Sequence, residues 1–163
     1  MTAGTSGGSD TPVYVAAPTR YIFFGVEISV HLSTDQTGGR FCLTSGIFQP
    51  GGDGGLHLHR HEDESLQILE GALSVQIGDE VKTLSTGGSC FIPRGTAHRL
   101  CNTSDQPAHV IVIHPPGNFD RFLAEVGTPA DQPPTPLSPE VFARVGEACA
   151  RYGTEILEPP SIG

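Results

Sequence analysis

Three histidines (His57, His59, His61) and three acids (Glu62, Asp63, Glu64) are crowded into eight consecutive residues of the stretch 51–71, GGDGGLHLHRHEDESLQILEG. Few features constrain a chain more. On a strand successive side chains alternate faces, so His57 and His59 point the same way, roughly 6.6 Å apart along the chain. A carboxylate past a bend, at Glu64, can swing back into the same space. Neutral imidazole plus carboxylate suits first-row transition metals, and an open coordination position makes such a site catalytic. Alone, the pattern is equally that of a polar hairpin whose histidines happen to cluster.

A second segment, 87–102 (GGSCFIPRGTAHRLCN), supplies the other half. A Pro-x-Gly turn, Pro93 and Gly95, delivers His98 at the head of a short alternating run in which His98, Leu100 and Asn102 share a face. At these residues the chain resembles the cupin superfamily. Gly51, His57-Leu58-His59, Glu64 and Gly71 match the spacing of its first motif. Gly87, Pro93-Arg94-Gly95, His98 and Asn102 match that of its second. The resemblance implies an all-β jelly-roll barrel, a double-stranded β-helix, with short C-terminal helices. It also implies a metal held by His57, His59, Glu64 and His98.

The rest of the composition agrees with one domain. At 163 residues the chain suits a single core, and 21 glycines with 14 prolines suit a turn-rich β protein. The net charge of −9 includes one lysine, Lys82, so neither nucleic acid nor an anionic membrane is an expected partner. The aliphatic run 110–113 is too short to span a bilayer, and no secretory signal is read at the N-terminus. Cys42, Cys90, Cys101 and Cys149 lie far apart without a Cys-x-x-Cys pair, which predicts reduced thiols and a cytoplasmic setting.

Taken in order, residues 1–12 are small and polar and predict a disordered tail; 13–117 form the barrel and 118–163 the C-terminal helices with a proline-rich connector. Strands are expected within 13–30, with a Thr37-Gly38-Gly39 turn between 28–32 and 41–48. Strands 65–69 and 73–77 read as a tight hairpin about Gly71, followed by strands at 81–84 and 90–92. The run 109–114 (HVIVIH) has a continuous apolar middle that suggests burial on both faces, and His109 and His114 read as strand ends. His31 reads as a surface histidine, His61 as a surface residue or one that backs a ligand, and Glu62 and Asp63 as turn residues. Beyond residue 117 the period becomes helical. Asn118 is the expected N-cap and Gly127 the C′ residue of one helix. Ser138, Pro139 and Gly153 bound a second with Phe142, Val145, Cys149 and Tyr152 as its apolar stripe. That helix is expected to pack outside the barrel or across a dimer, or else to cover its mouth as a lid.

Within the superfamily the chain resembles the quercetin 2,3-dioxygenase-like group. The Thr37-Gly38-Gly39 turn, the string His61-Glu62-Asp63-Glu64, the segment 117–122 and the ending Arg151-Tyr152-Gly153 carry that likeness. It implies one Ni, Co, Mn, Fe or Cu ion per chain, O2 as co-substrate, and opening of a flavonol-like or other enolisable or phenolic ring with loss of carbon monoxide. Glu64 would be both ligand and catalytic base, and the chain a homodimer. A looser loop is expected at Gly54-Gly55, where prolines often precede the His-x-His. The pocket is expected to be lined from 41–48, 66–68 and 100–102. Two alternatives remain: a non-oxidative cyclase, isomerase or decarboxylase acting on a polyketide or sugar-derived metabolite, for which Zn would serve, or a non-enzymatic module that binds a small molecule.

Overall fold

The structure, a computed structural model, describes residues 11–136 and 138–161. Most of the tail expected to be disordered lies outside the described residues. Short strands separated by glycine turns stack into two antiparallel sheets. The chain runs β1 (Thr19–Phe23), β2 (Val26–Leu32), β3 (Cys42–Phe48), β4 (Leu56–His59), β5 (Glu64–Glu70), β6 (Ala72–Ile77) and β7 (Glu80–Ser85). It continues through β8 (Ser89–Ile92), β9 (His98–Cys101), β10 (Ala108–His114), α1 (Phe119–Val126), β11 (Thr128–Pro129), α2 (Pro139–Tyr152) and β12 (Thr154–Glu158). The larger sheet has the order β11-β1-β2-β3-β10-β5-β8, the smaller β12-β4-β9-β6-β7. This is the jelly-roll architecture that the motifs imply.

Between the sheets lies an apolar core that includes Phe48, Leu66, Ile68, Leu73, Val75, Ile92, Val110 and Val112. Strict alternation in β10 sends Ala108, Val110, Val112 and His114 inward, while Ile111 and Ile113 are only half-covered on the other face. Burial on both faces, as the apolar run suggested, is therefore not what this strand shows. A second apolar cluster forms where Val145, Ala148 and Cys149 of α2 meet Phe122 and Val126 of α1. Phe142 is exposed and falls outside the expected stripe; Ala148 takes the buried place.

Several turns differ from the reading of the sequence, each for a physical reason. Gly71 does not close a hairpin, because β5 and β6 belong to different sheets. It is a corner with φ +78, where a Cβ would stand 2.6 Å from the Pro107 carbonyl. Asn118 precedes α1 with φ 106 and no capping bond. Its side chain accepts from Arg121 Nη1 at 2.8 Å instead, and the first free helix amide, that of Phe119, donates to Glu62 Oε1 at 2.9 Å. Gly127 is extended rather than left-handed. For α2 the expected signals hold: Ser138 caps it, Pro139 opens it, and Gly153 ends it with φ 73. All four cysteines are free, and among the described residues no helix is long and apolar enough to cross a membrane.

The largest addition is β12. It follows α2 directly and pairs with the histidine strand, Thr154 opposite His59 and Ile156 opposite His57. Five residues with two glutamates, one of them at the exposed end, give too little alternation to read as a strand. It forms because β4 would otherwise be an open edge.

Candidate metal centre

Strand pairing assembles the site. His57 and His98 are direct partners across β4 and β9, so their rings stand 4.3 Å apart, and His59 follows on the same face of β4 with its ring 5.1 Å from that of His57. Residues 60–63 carry the chain from the small sheet to the large one, where Glu64 opens β5 and points back. Asp63 secures that bend, accepting from Arg94 Nε at 3.0 Å and Nη2 at 2.9 Å and so tying the first motif to the Pro-Arg-Gly turn of the second. One ligand atom from each of His57, His59, Glu64 and His98 falls within 4.8 Å of the others. The four residues singled out in the sequence are thus brought together.

Hydrogen bonding fixes how two of the rings face. Nδ1 of His57 lies 3.0 Å from the Gly55 carbonyl and Nδ1 of His98 2.9 Å from that of Thr96. A carbonyl only accepts, so each Nδ1 carries the hydrogen and each neutral Nε2 is a bare lone pair. Yet His98 Nε2 stands 3.2 Å from Glu64 Oε2, acceptor against acceptor. His59 Nε2 stands 3.5 Å from the same oxygen, and neither nitrogen of this buried ring finds a hydrogen bond. Such an arrangement calls for a shared cation. A divalent transition metal bound through three imidazole nitrogens and one carboxylate oxygen fits the donor set, and a proton partly stands in for it. Burial and the neighbouring His98 and His59 push His57 down to about 3, and burial lowers His59 as well. Burial presses His98 the same way, but Glu64 outweighs it and raises its pKa. Burial presses Glu64 upward, and the surrounding imidazoles hold it well below the usual carboxylate range.

Two further residues belong to the site that the sequence reading placed elsewhere. His114 ends β10 as read, but it is buried beside the cluster: its Nε2 lies 3.3 Å from Glu64 Oε2 and its ring packs 4.5 Å from Phe119. Burial works against its charge, yet the Cys42 thiol and Glu64 beside it raise its pKa to about 10. The inward parity it shares with Val110 and Val112 was the available signal. Glu62 lies in the reversal before Glu64, as read, but its side chain is buried. Its Oε2 sits 3.7 Å from His59 Nδ1, and burial lifts its pKa to about 7. His61 is exposed and packs on Gly153. His31 is half-buried against Ser45 Oγ at 2.8 Å, away from the cluster.

The cluster opens into a cavity of ≈ 100 Å³ with walls that are largely apolar. Thr44, Gly46, Phe48 and Leu100 contribute as expected, whereas Leu66 and Ile68 lie in the core instead. Asn102 is occupied in tying loops, donating to the Phe48 and Gln106 carbonyls at 2.9 and 2.8 Å. The remaining wall comes from Phe23 and Phe24 of the β1–β2 turn, Phe119 and Phe122 of α1, and Ile156 of β12. It is α1, with α2 stacked behind it, that closes this side. A larger groove of ≈ 430 Å³ lies beyond Phe23 and Phe24, which line both spaces.

A family model for the cupin domain matches residues 46–114, the segment that holds both motifs. The chain thus contains a cupin domain over these residues. An RmlC-like cupin from Shewanella frigidimarina superposes with a TM-score of 0.55 at 22% identity, covering 69% of this chain and 96% of that one. Mannose-1-phosphate guanylyltransferase 2 of Escherichia coli O157:H7 is 33% identical over 81 residues, half of this chain but only 17% of that protein. The tetracenomycin polyketide synthase protein TcmJ of Streptomyces glaucescens is 31% identical over 85 residues, 52% of this chain and 57% of the relative. The chain thus spans a small part of the guanylyltransferase it matches and just over half of the polyketide synthase protein.

Proposed function

We propose that this cupin is a metal-dependent enzyme acting on an enolisable or phenolic ring, with O2 as co-substrate and the ring opened by dioxygenation. The observation that carries the reading is the joining of a buried three-histidine, one-glutamate cluster to an apolar, aromatic-lined chamber. A bound metal ion would polarise a substrate oxygen and, if redox-active, support reaction with O2. The protein supplies the rest. His57, His59, Glu64 and His98 hold the ion, and the wall of Phe23, Phe24, Phe119 and Phe122 excludes water and packs against a planar ring. Glu64, ionised at all ordinary pH, accepts the substrate's hydroxyl proton. Because its basicity is low, the proton it takes must already be acidic, as that of a phenol or enol beside a cation is. The chamber is smaller than the roughly 300–1,000 Å³ of a site for drug-sized ligands. The reacting ring therefore sits inside and the remainder of a larger substrate occupies the outer groove.

Similarity to a polyketide synthase protein favours one second reading, a non-oxidative cyclisation or related step at the same site. Oxygen uptake separates the two. Protein reconstituted in turn with Ni, Co, Mn, Fe, Cu and Zn is assayed in an oxygen electrode against flavonols, catechols and polyketide-type phenols. Uptake matched to product formation, supported by a redox-active metal and absent in His57→Ala, is the expected result. Turnover without O2 uptake, best supported by zinc, would replace dioxygenation with the second reading.

A further inference from the structure

The carboxylate of Glu64 has to be aimed, and its own rotamer does not aim it. The terminal torsion of a glutamate is broad, so orientation depends on what holds the two oxygens. Among the described residues the groups that face Oε2 are imidazole nitrogens: His98 Nε2 at 3.2 Å, His114 Nε2 at 3.3 Å and His59 Nε2 at 3.5 Å. Two of these cannot hold it when the site is in use. With a metal bound, the Nε2 lone pairs of His57, His59 and His98 are turned to the ion. The hydrogens of His57 and His98 are already given to the carbonyls of Gly55 and Thr96. His114 alone of the facing rings keeps an N–H for the carboxylate.

Its placement suits that task better than ligation. His114 lies outside the group of residues whose ligand atoms converge within 4.8 Å. It is 2% exposed, its ring plane is set by Phe119 at 4.5 Å and 31°, and its edge meets His59 at 5.5 Å. Phe119 is anchored in turn by its amide, which donates to Glu62 Oε1 at 2.9 Å. Cys42, the β3 partner of His114 in the sheet register, stands beside the ring as a buried thiol. The imidazole is thus clamped from several sides with Nε2 directed at Oε2.

We propose that His114 is a positioning residue whose Nε2–H donates to Glu64 Oε2 and fixes the carboxylate as a metal ligand. The inference rests on the metal reading of the cluster and deepens it. Partners of this kind orient a ligand, and their loss typically lowers metal affinity about 10- to 100-fold.

Zinc serves as the probe, because its binding is read without turnover. Long-range proton–nitrogen spectra of the ¹⁵N-labelled, zinc-loaded protein report which imidazole nitrogens carry hydrogen. The expected result is a protonated Nε2 on His114, with Nε2 of His57, His59 and His98 all bound to zinc. A bare or zinc-bound Nε2 on His114 overturns the proposal while leaving the metal site intact. Failure of the wild type to take up one zinc per chain sinks the metal reading and this inference together. In competition titrations, His114→Phe keeps a flat ring against Phe119 but loses the donor, and should weaken zinc about 10- to 100-fold. His114→Gln keeps an N–H in reach and should restore most of the affinity. Wild-type affinity in His114→Phe, or an equal loss in His114→Gln, contradicts the assignment. If neither variant folds, the wild-type spectrum alone decides.

Discussion

Glu64 is where the ligand and base roles meet, and one substitution parts them. Glu64→Gln keeps size and a coordinating oxygen but loses charge and most basicity. Metal-loaded Glu64→Gln should turn over about 10²- to 10⁴-fold more slowly than wild type, the usual contribution of a positioned base. The deficit should shrink as pH approaches the substrate's own pKa; a variant that matches wild type per bound metal at neutral pH would remove the base role. Proton competition for the site has a definite sign. His57, pushed down to about 3, is neutral throughout the working range, whereas His98, with a raised pKa, must give up its proton to bind metal. Metal occupancy after dialysis should therefore fall as pH drops below the ordinary imidazole range of about 6.5. Equal occupancy at pH 8 and pH 5 would contradict this. The four candidate ligands were legible because fixed spacing on alternating strands leaves their faces little choice. His114 and Glu62 were not, because their roles depend on which sheet crosses above them. The parity of HVIVIH was visible, yet its apolar middle masked the fact that only one face looks into the barrel.

At the scale of elements, the C-terminal strand and the loop before β4 depend on each other. The Gly54-Gly55 loop, expected to be loose, is pinned. Gly55 donates to Asp53 Oδ1 at 2.8 Å and has φ +74. A Cβ on it would lie 2.8 Å from the Glu158 carbonyl, so glycine is required for β12 to lie close. Asp53 also accepts from Arg99 and from the Ser161 amide. Burial presses its pKa upward, but these donors bring it down to about 2. Because the folded value lies below the ordinary carboxylate value, the stabilisation is present above about pH 4 and is lost as pH falls toward 2. Asp53→Asn should cost about 1–2 kcal/mol at pH 7, with the difference closing at acid pH and faster amide exchange in β12. Unchanged exchange there would mean that Asp53 does not hold the strand. Phe24 is the other strained point, a bulky residue at φ 47 between the two cavities. Phe24→Gly relieves the backbone and removes the ring. It should speed extraction of the metal by EDTA several-fold with little loss of thermal stability, and an unchanged rate would show that the ring does not guard the chamber. No local signal in the sequence announced either contact, since both join segments that are far apart in the chain.

For the whole molecule, the outer face of the larger sheet is where, among the described residues, apolar side chains stand half-buried or exposed. Register places Leu43, Ile113, Ser65 and Phe91 side by side on it, and Phe91 and Leu69 are 59% and 42% exposed. The expected homodimer would cover this face and complete the burial that the apolar run of β10 suggested. Light scattering should then give twice the 17.2 kDa chain mass, reduced to a single chain by Phe91→Glu; a monomeric wild type would refute it. The barrel itself was legible from its motifs and turn spacing, while the pairing of β12 with β4 emerges only in three dimensions. If His57, His59, Glu64 and His98 hold one transition-metal ion, anomalous diffraction at the metal's absorption edge will show it in crystals of the protein as purified or reconstituted. One peak per chain is expected, with Nε2 of the three histidines and a Glu64 oxygen at about 2.0–2.2 Å; no peak at that position, or a stoichiometric peak on other ligands, would contradict it.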